Sequence, residues 1–157
     1  GVSPAREDIE RVVEHARYNP NATGSVPFTS RNVAAVLGLL DGIYGDRNIS
    51  DYEVDHIFPA SRADEVEEAA GEDIEIHRLG NLQLLHHRVN NSEKGTQWPK
   101  DWLDDLSEGE QRRYREDNLY PDDVEMTPEN FTEFAEKREN RIKQALINRY
   151  VSSSTEE

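Results

Sequence analysis

An aspartate stands beside a histidine in the string Asp55-His56-Ile57-Phe58-Pro59. An imidazole with an ordinary pKa of about 6.5 takes up and releases protons near neutrality, and a carboxylate is a ligand for hard cations. Alone the pair is a weak signal, because an adjacent Asp and His more often form a surface pair or a satisfied, half-buried histidine. Further along the chain lies Asn81, inside Leu79-Gly80-Asn81-Leu82-Gln83-Leu84-Leu85. Beyond it come Asn90 and Asn91, followed by Ser92, Glu93 and Lys94. Amide oxygens, like carboxylates, are donors suited to hard cations.

The order DHIFP, LGNLQLL, NNSEKG resembles the ββα-metal (His-Me finger) motif of the HNH endonucleases. It is most similar to the C-terminal nuclease domain of GmrSD-like modification-dependent restriction proteins. The later chain fits the same pattern, with Trp98 to Trp102, then Asn118-Leu119-Tyr120-Pro121, then Phe131 and Phe134 leading to Arg138. The resemblance covers about residues 50–150. It implies phosphodiester hydrolysis, which needs a water made nucleophilic on one side of phosphorus and stabilised negative charge on the other. His56 is then the candidate base and Asp55 the candidate ligand of one Mg²⁺ or Mn²⁺ ion. The second ligand is Asn90 by its spacing from Asn81, or Asn91 counting back from Lys94. Asn81 is implied as an organiser whose amide hydrogen-bonds backbone and fixes the loop holding His56. Arg78, Arg88 and Lys94 are candidates for gripping flanking phosphates. Two departures stand out: Asn replaces His at the third motif position, and the Cys pairs that bind structural zinc in many relatives are missing.

These residues need elements to carry them. Ser3-Pro4 starts a helix whose Ile9, Val12, Val13 and Ala16 share a face, and a second helix is expected over 31–44. Residues 49–58 read as a strand closed by Pro59, and 79–85 as a short buried strand. Because neighbouring strand residues face opposite ways, Asp55 and His56 serve one site only if the strand ends or bulges there. ADEVEEAA reads as an exposed helix, HHRVNNSEKG as a turn or short helix, and Trp98 to Ser107 as another helix. Ser107 and Glu110 make a capping box for a helix to Asp117, and Thr127-Pro128 opens a last one reaching Tyr150. Trp98 and Trp102 are expected as core anchors, His15 as surface, and His86 and His87 as an exposed pair.

The composition sets limits. There are 157 residues, 18 Lys+Arg against 33 Asp+Glu, and no Cys. That suits one domain and excludes disulfides, a thiolate zinc site and a cysteine nucleophile. No apolar run reaches the roughly 18 residues of a membrane span, and GVSPAREDIE has neither the basic end nor the apolar stretch of a signal peptide, so a cytoplasmic protein is expected. The absent starting Met fits a piece cut from a longer protein. A net charge of −15 argues against a polyanion partner, but the acids concentrate in 51–75 and 101–136, leaving basic islands at 76–100 and 137–157.

The resulting expectation is a single α+β domain, mainly helical. N-terminal helices occupy 1–48, a ββα-metal nuclease core 49–95, C-terminal helices 96–150, and a frayed tail 151–157. The resemblance implies a metal-dependent endonuclease acting on double-stranded DNA in antiphage restriction. An N-terminal sensing domain is the implied partner, and no structural zinc or membrane contact is expected. The alternatives are a catalytically inactive interaction module of the same fold, a nuclease for RNA or single strands, and an acidic DNA mimic.

Overall fold

A computed structural model of the chain describes residues 5–18, 33, 36–40, 52–86 and 94–151. Helix α1 (Arg6–His15) comes first, and residues 36–40 are also helical. Strand β1 (Tyr52–His56) leads through a 3-10 turn, Ala60–Arg62, into α2 (Ala63–Ala70). That helix stops at Gly71, which takes the left-handed conformation that costs glycine no steric strain. A second 3-10 turn, Leu79–Asn81, runs straight into β2 (Leu82–His86). After it come α3 (Pro99–Asp104), α4 (Glu108–Asp117) and α5 (Phe131–Tyr150). Among the described residues the domain is therefore α+β and mainly helical, with one two-stranded sheet.

The expected helix starts have a local cause. Pro99 occupies the first turn of α3, where its missing N–H costs nothing. The Ser107 hydroxyl accepts from Glu110 N while the Glu110 carboxylate reaches back to Ser107 N, so the capping box opens α4. The strands are shorter than expected. β1 ends at His56, and the first three residues of the LGNLQLL string form the turn rather than strand. The hairpin is antiparallel and regular, pairing Tyr52 with His86, Asp55 with Gln83 and His56 with Leu82. It ends at His56 without a bulge. The turn or short helix expected after β2 falls largely on residues 87–93, outside the described residues, as do most of the second expected helix and the tail.

The described residues form two apolar cores, one that includes strand residues and one that begins just beyond β1. In one, Ile9, Val13 and Ala16 pack with Val33, Val36, Leu37 and Leu40, with Leu79 and Leu82, and with Ile142 and Leu146 of α5. In the other, Ile57, Phe58 and Val66 pack with Trp102, Leu103, Tyr120, Phe131 and Phe134. Phe58 makes edge-on contacts with both Phe131 and Phe134, so the N-terminal half of α5 grips the chain just beyond His56. Trp102 is a core anchor as expected, and the half-buried Trp98 packs beside Phe58 beneath the Arg62 guanidinium.

The LGN turn lies directly on α5. A Cβ on Gly80 would sit 2.1 Å from the Ala135 carbonyl oxygen, so only glycine permits this approach. Arg138, 2% exposed, donates to the carbonyls of Leu79, Gly80 and Leu82 and, through Nε, to that of Asn118. Burial pulls its pKa down to about 10, which leaves it charged at neutrality. The F-x-x-F-x-x-x-R spacing thus puts two aromatic rings behind Phe58 and a guanidinium beneath the turn that leads into β2.

Candidate active site

β1 delivers Asp55 and His56 on its last two residues, and strand alternation sends them to different partners. Asp55 turns inward and is 7% exposed. Its Oδ2 accepts from Gln83 Nε2 at 3.0 Å, directly across the hairpin, and lies 3.0 Å from Lys94 Nζ. Gln83 in turn accepts from the Tyr120 hydroxyl at 2.6 Å. Lys94, 1% exposed, also donates to the His56 carbonyl at 3.1 Å. A buried polar chain therefore runs Tyr120, Gln83, Asp55, Lys94, and closes on the backbone of His56. Burial pushes the Asp55 carboxyl above its ordinary range, and Lys94 and Gln83 pull against that shift.

The His56 ring faces the other way. Its Nε2 lies 2.9 Å from Nδ1 of His77, with the two rings edge-on, and Tyr18 closes a third side with its ring centroid 5.3 Å from that of His56. Burial, then the neighbouring His77 and Lys94 charges, lowers the His56 pKa to about 4. The imidazole is therefore neutral at pH 7, the form in which it accepts a proton.

Asn81 holds the exit from β1. Its Oδ1 accepts from Phe58 N at 2.8 Å, its Nδ2 donates to the carbonyls of Phe58 and Ile76, and its own carbonyl accepts from Ile57 N. With 0% exposure the side chain cannot reach a substrate. It ties the residues immediately after His56 to the loop that carries His77.

Two of the three candidates for phosphate contacts have acidic partners within the chain. Arg78 forms a two-pronged pair with Glu139 of α5, at 2.8 Å from each prong, and the same carboxylate accepts from Gly80 N. Lys94 is interior and its ammonium faces Asp55, because a buried carboxylate requires a partner charge. Lys94 is withdrawn from solvent, and Arg78 stays partly exposed with its fork taken by Glu139. Three cations of the C-terminal basic island are likewise engaged: Lys137 pairs with Asp123 and Glu133, Arg141 with Asp122, and Arg138 is inside. Arg88, Asn90 and Asn91 lie outside the described residues, as does His87; His86 is half-buried and edge-on to Tyr52.

Among the described residues no group of three or more His, Cys, Asp or Glu is arranged to hold a metal ion. A hard ion needs fewer protein ligands than that, often one or two oxygens with water and substrate filling the rest. Asp55 is one such oxygen donor, but its Oδ2 is already engaged by Gln83 and by the Lys94 ammonium, so an ion at that oxygen would take the place of Lys94.

Sequence reasoning missed His77, Gln83 and Tyr120. Gln83 carried a signal, since a lone amide inside a buried Leu run requires a partner. His77 stood only as one member of a basic island, and nothing local marked it as the neighbour of His56.

The site is thus the end of β1 in a small α+β domain, an inward carboxylate followed by a neutral histidine, with a buried asparagine fixing the residues just beyond. Residues 5–153 match the family model for GmrSD restriction endonucleases, C-terminal domain, and the chain belongs to that family. No curated protein and no solved structure matches the chain significantly. No helix among the described residues is long and apolar enough to cross a membrane.

Proposed function

We propose that the chain is the phosphodiester-cleaving domain of a restriction protein and that it acts on DNA as a divalent-metal-dependent HNH endonuclease. The observation that carries the reading is the end of β1, where a neutral imidazole and a buried carboxylate sit on consecutive residues and Asn81 fixes the chain just beyond them. In this reading His56 takes a proton from the attacking water. Asn81 keeps the imidazole in register with the hairpin, and Lys94 holds the His56 carbonyl so that the last peptide of β1 does not swing. A sensing domain preceding this one is the proposed partner in the longer protein.

A second reading is a non-cleaving interaction module. It is favoured by the net charge of −15 together with the engagement of Arg78, Lys94, Lys137, Arg138 and Arg141 by acids or carbonyls. Plasmid nicking separates the two. The nuclease reading expects strand scission with Mg²⁺ or Mn²⁺ that stops in EDTA and falls about 10²- to 10⁴-fold in His56→Ala. Competition by single-stranded DNA and RNA identifies the preferred polymer. Metal-independent binding without scission of any of the three would refute the nuclease reading.

A further inference from the structure

We propose that His77 is a positioning residue for His56, holding it as the tautomer that can accept a proton; this rests on the reading of His56 as the base. The argument begins with the 2.9 Å contact between His56 Nε2 and His77 Nδ1. One proton occupies that contact, and only one of its two placements suits a base. If His77 donated, the neutral His56 ring would carry its own hydrogen on Nδ1 and neither nitrogen would be open to a further proton. With His56 Nε2–H donating to His77 Nδ1, the His56 Nδ1 lone pair is the one that works. As that nitrogen takes a proton from water, the Nε2–H becomes the donor of an imidazolium, and its bond to the His77 Nδ1 lone pair strengthens as the positive charge develops.

His77 is built to do this. The three residues around it are pinned separately: the Ile76 carbonyl by Asn81 Nδ2, the His77 carbonyl by Tyr18 N at 3.0 Å, and the Arg78 fork by Glu139. A short bridge between Arg17 and Arg78 fastens the same segment to the end of α1. The Tyr18 ring stands against both imidazoles, 5.3 Å from His56 and 6.2 Å from His77 between centroids, and limits how far either can turn. The loop thus presents one nitrogen lone pair at a fixed place, the role that a buried carboxylate plays behind the histidine of a hydrolytic triad.

The test has two parts, on the intact domain. Long-range proton–nitrogen correlation of ¹⁵N-labelled protein without metal reads the His56 tautomer. The expected form is Nε2–H in the wild type and in His77→Asn, whose amide oxygen replaces the Nδ1 acceptor, and a mixture in His77→Ala. Nicking kinetics then separate positioning from a general loss of structure. His77→Ala should lower kcat by about 10- to 100-fold with KM for DNA changed less than about threefold, and His77→Asn should recover most of the rate. A His56 Nδ1–H tautomer in the wild type would overturn the proposal. So would equal impairment of the Asn and Ala variants, or an Ala variant as fast as wild type. If the tautomers come out as expected and the wild type cleaves nothing, the imidazole pairing stands and the nuclease reading falls.

Discussion

Replacing Asn81 by Asp exchanges one NH₂ group for an oxygen and leaves the shape of the side chain intact. The retained oxygen still accepts from Phe58 N, but the new one faces the carbonyls of Phe58 and Ile76, which Nδ2 now satisfies at 3.0 and 2.9 Å. Two buried acceptors lose their donor, each at a cost of about 1–3 kcal/mol, and a carboxylate is placed where the residue is wholly buried. The sum, about 3–5 kcal/mol at neutral pH, is a large part of the roughly 5–15 kcal/mol that holds a domain together. For a chain of this length it corresponds to a fall in melting temperature of roughly 10 °C. A protonated carboxyl can donate to one of the two carbonyls, so the introduced group has a folded-state pKa above its unfolded value, and the deficit must shrink as pH falls through the folded pKa. Urea unfolding of wild type and Asn81→Asp at pH 7 and pH 5 measures both quantities. Equal midpoints at pH 7 would show that the asparagine clamp does not hold the end of β1.

Lys94→Met should destabilise the fold by about 3–5 kcal/mol, because it strands the buried Asp55 carboxylate. Adding Asp55→Asn should return most of that loss, as a double-mutant cycle in denaturant will report. Acidification gives another test. The folded His56 binds its proton only near pH 4 while the unfolded chain binds it near 6.5, so between these values the unfolded state holds more protons and stability falls as pH falls. The effect reaches up to about 3 kcal/mol by pH 4. Asp55, whose carboxyl is pushed upward by burial, acts in the opposite sense. The comparison is therefore with His56→Gln, whose stability should decline less than that of wild type between pH 6.5 and 4.5; parallel curves would refute the low His56 pKa.

Much of the architecture was legible along the chain because its causes are local. The capping pair Ser107 and Glu110, Pro99 at a helix start and the spacing of Phe131, Phe134, Ile142 and Leu146 depend only on residues a turn or two apart. The strand edges were less legible: Leu79, Gly80 and Asn81 are apolar or small enough to read as strand, yet they turn because Ala135 and Arg138 approach them from α5. A contact across more than fifty residues leaves no trace in a local pattern.

The sequence by itself determined which reactive groups the chain owns and their order: one Asp-His pair, a Leu-flanked asparagine, a later pair of asparagines, and no thiol. Only the tertiary structure decided where each charge went. Lys94 and Arg78 are residue types that grip phosphates, but packing placed a carboxylate against each, the buried Asp55 for one and the partly exposed Glu139 for the other. His56 acquired its low pKa and its neighbour His77 in the same way, from whichever segments folded over it. Residue type sets what a side chain is able to do, whereas burial and the nearest opposite charge set what it does, and both depend on distance in space rather than along the chain.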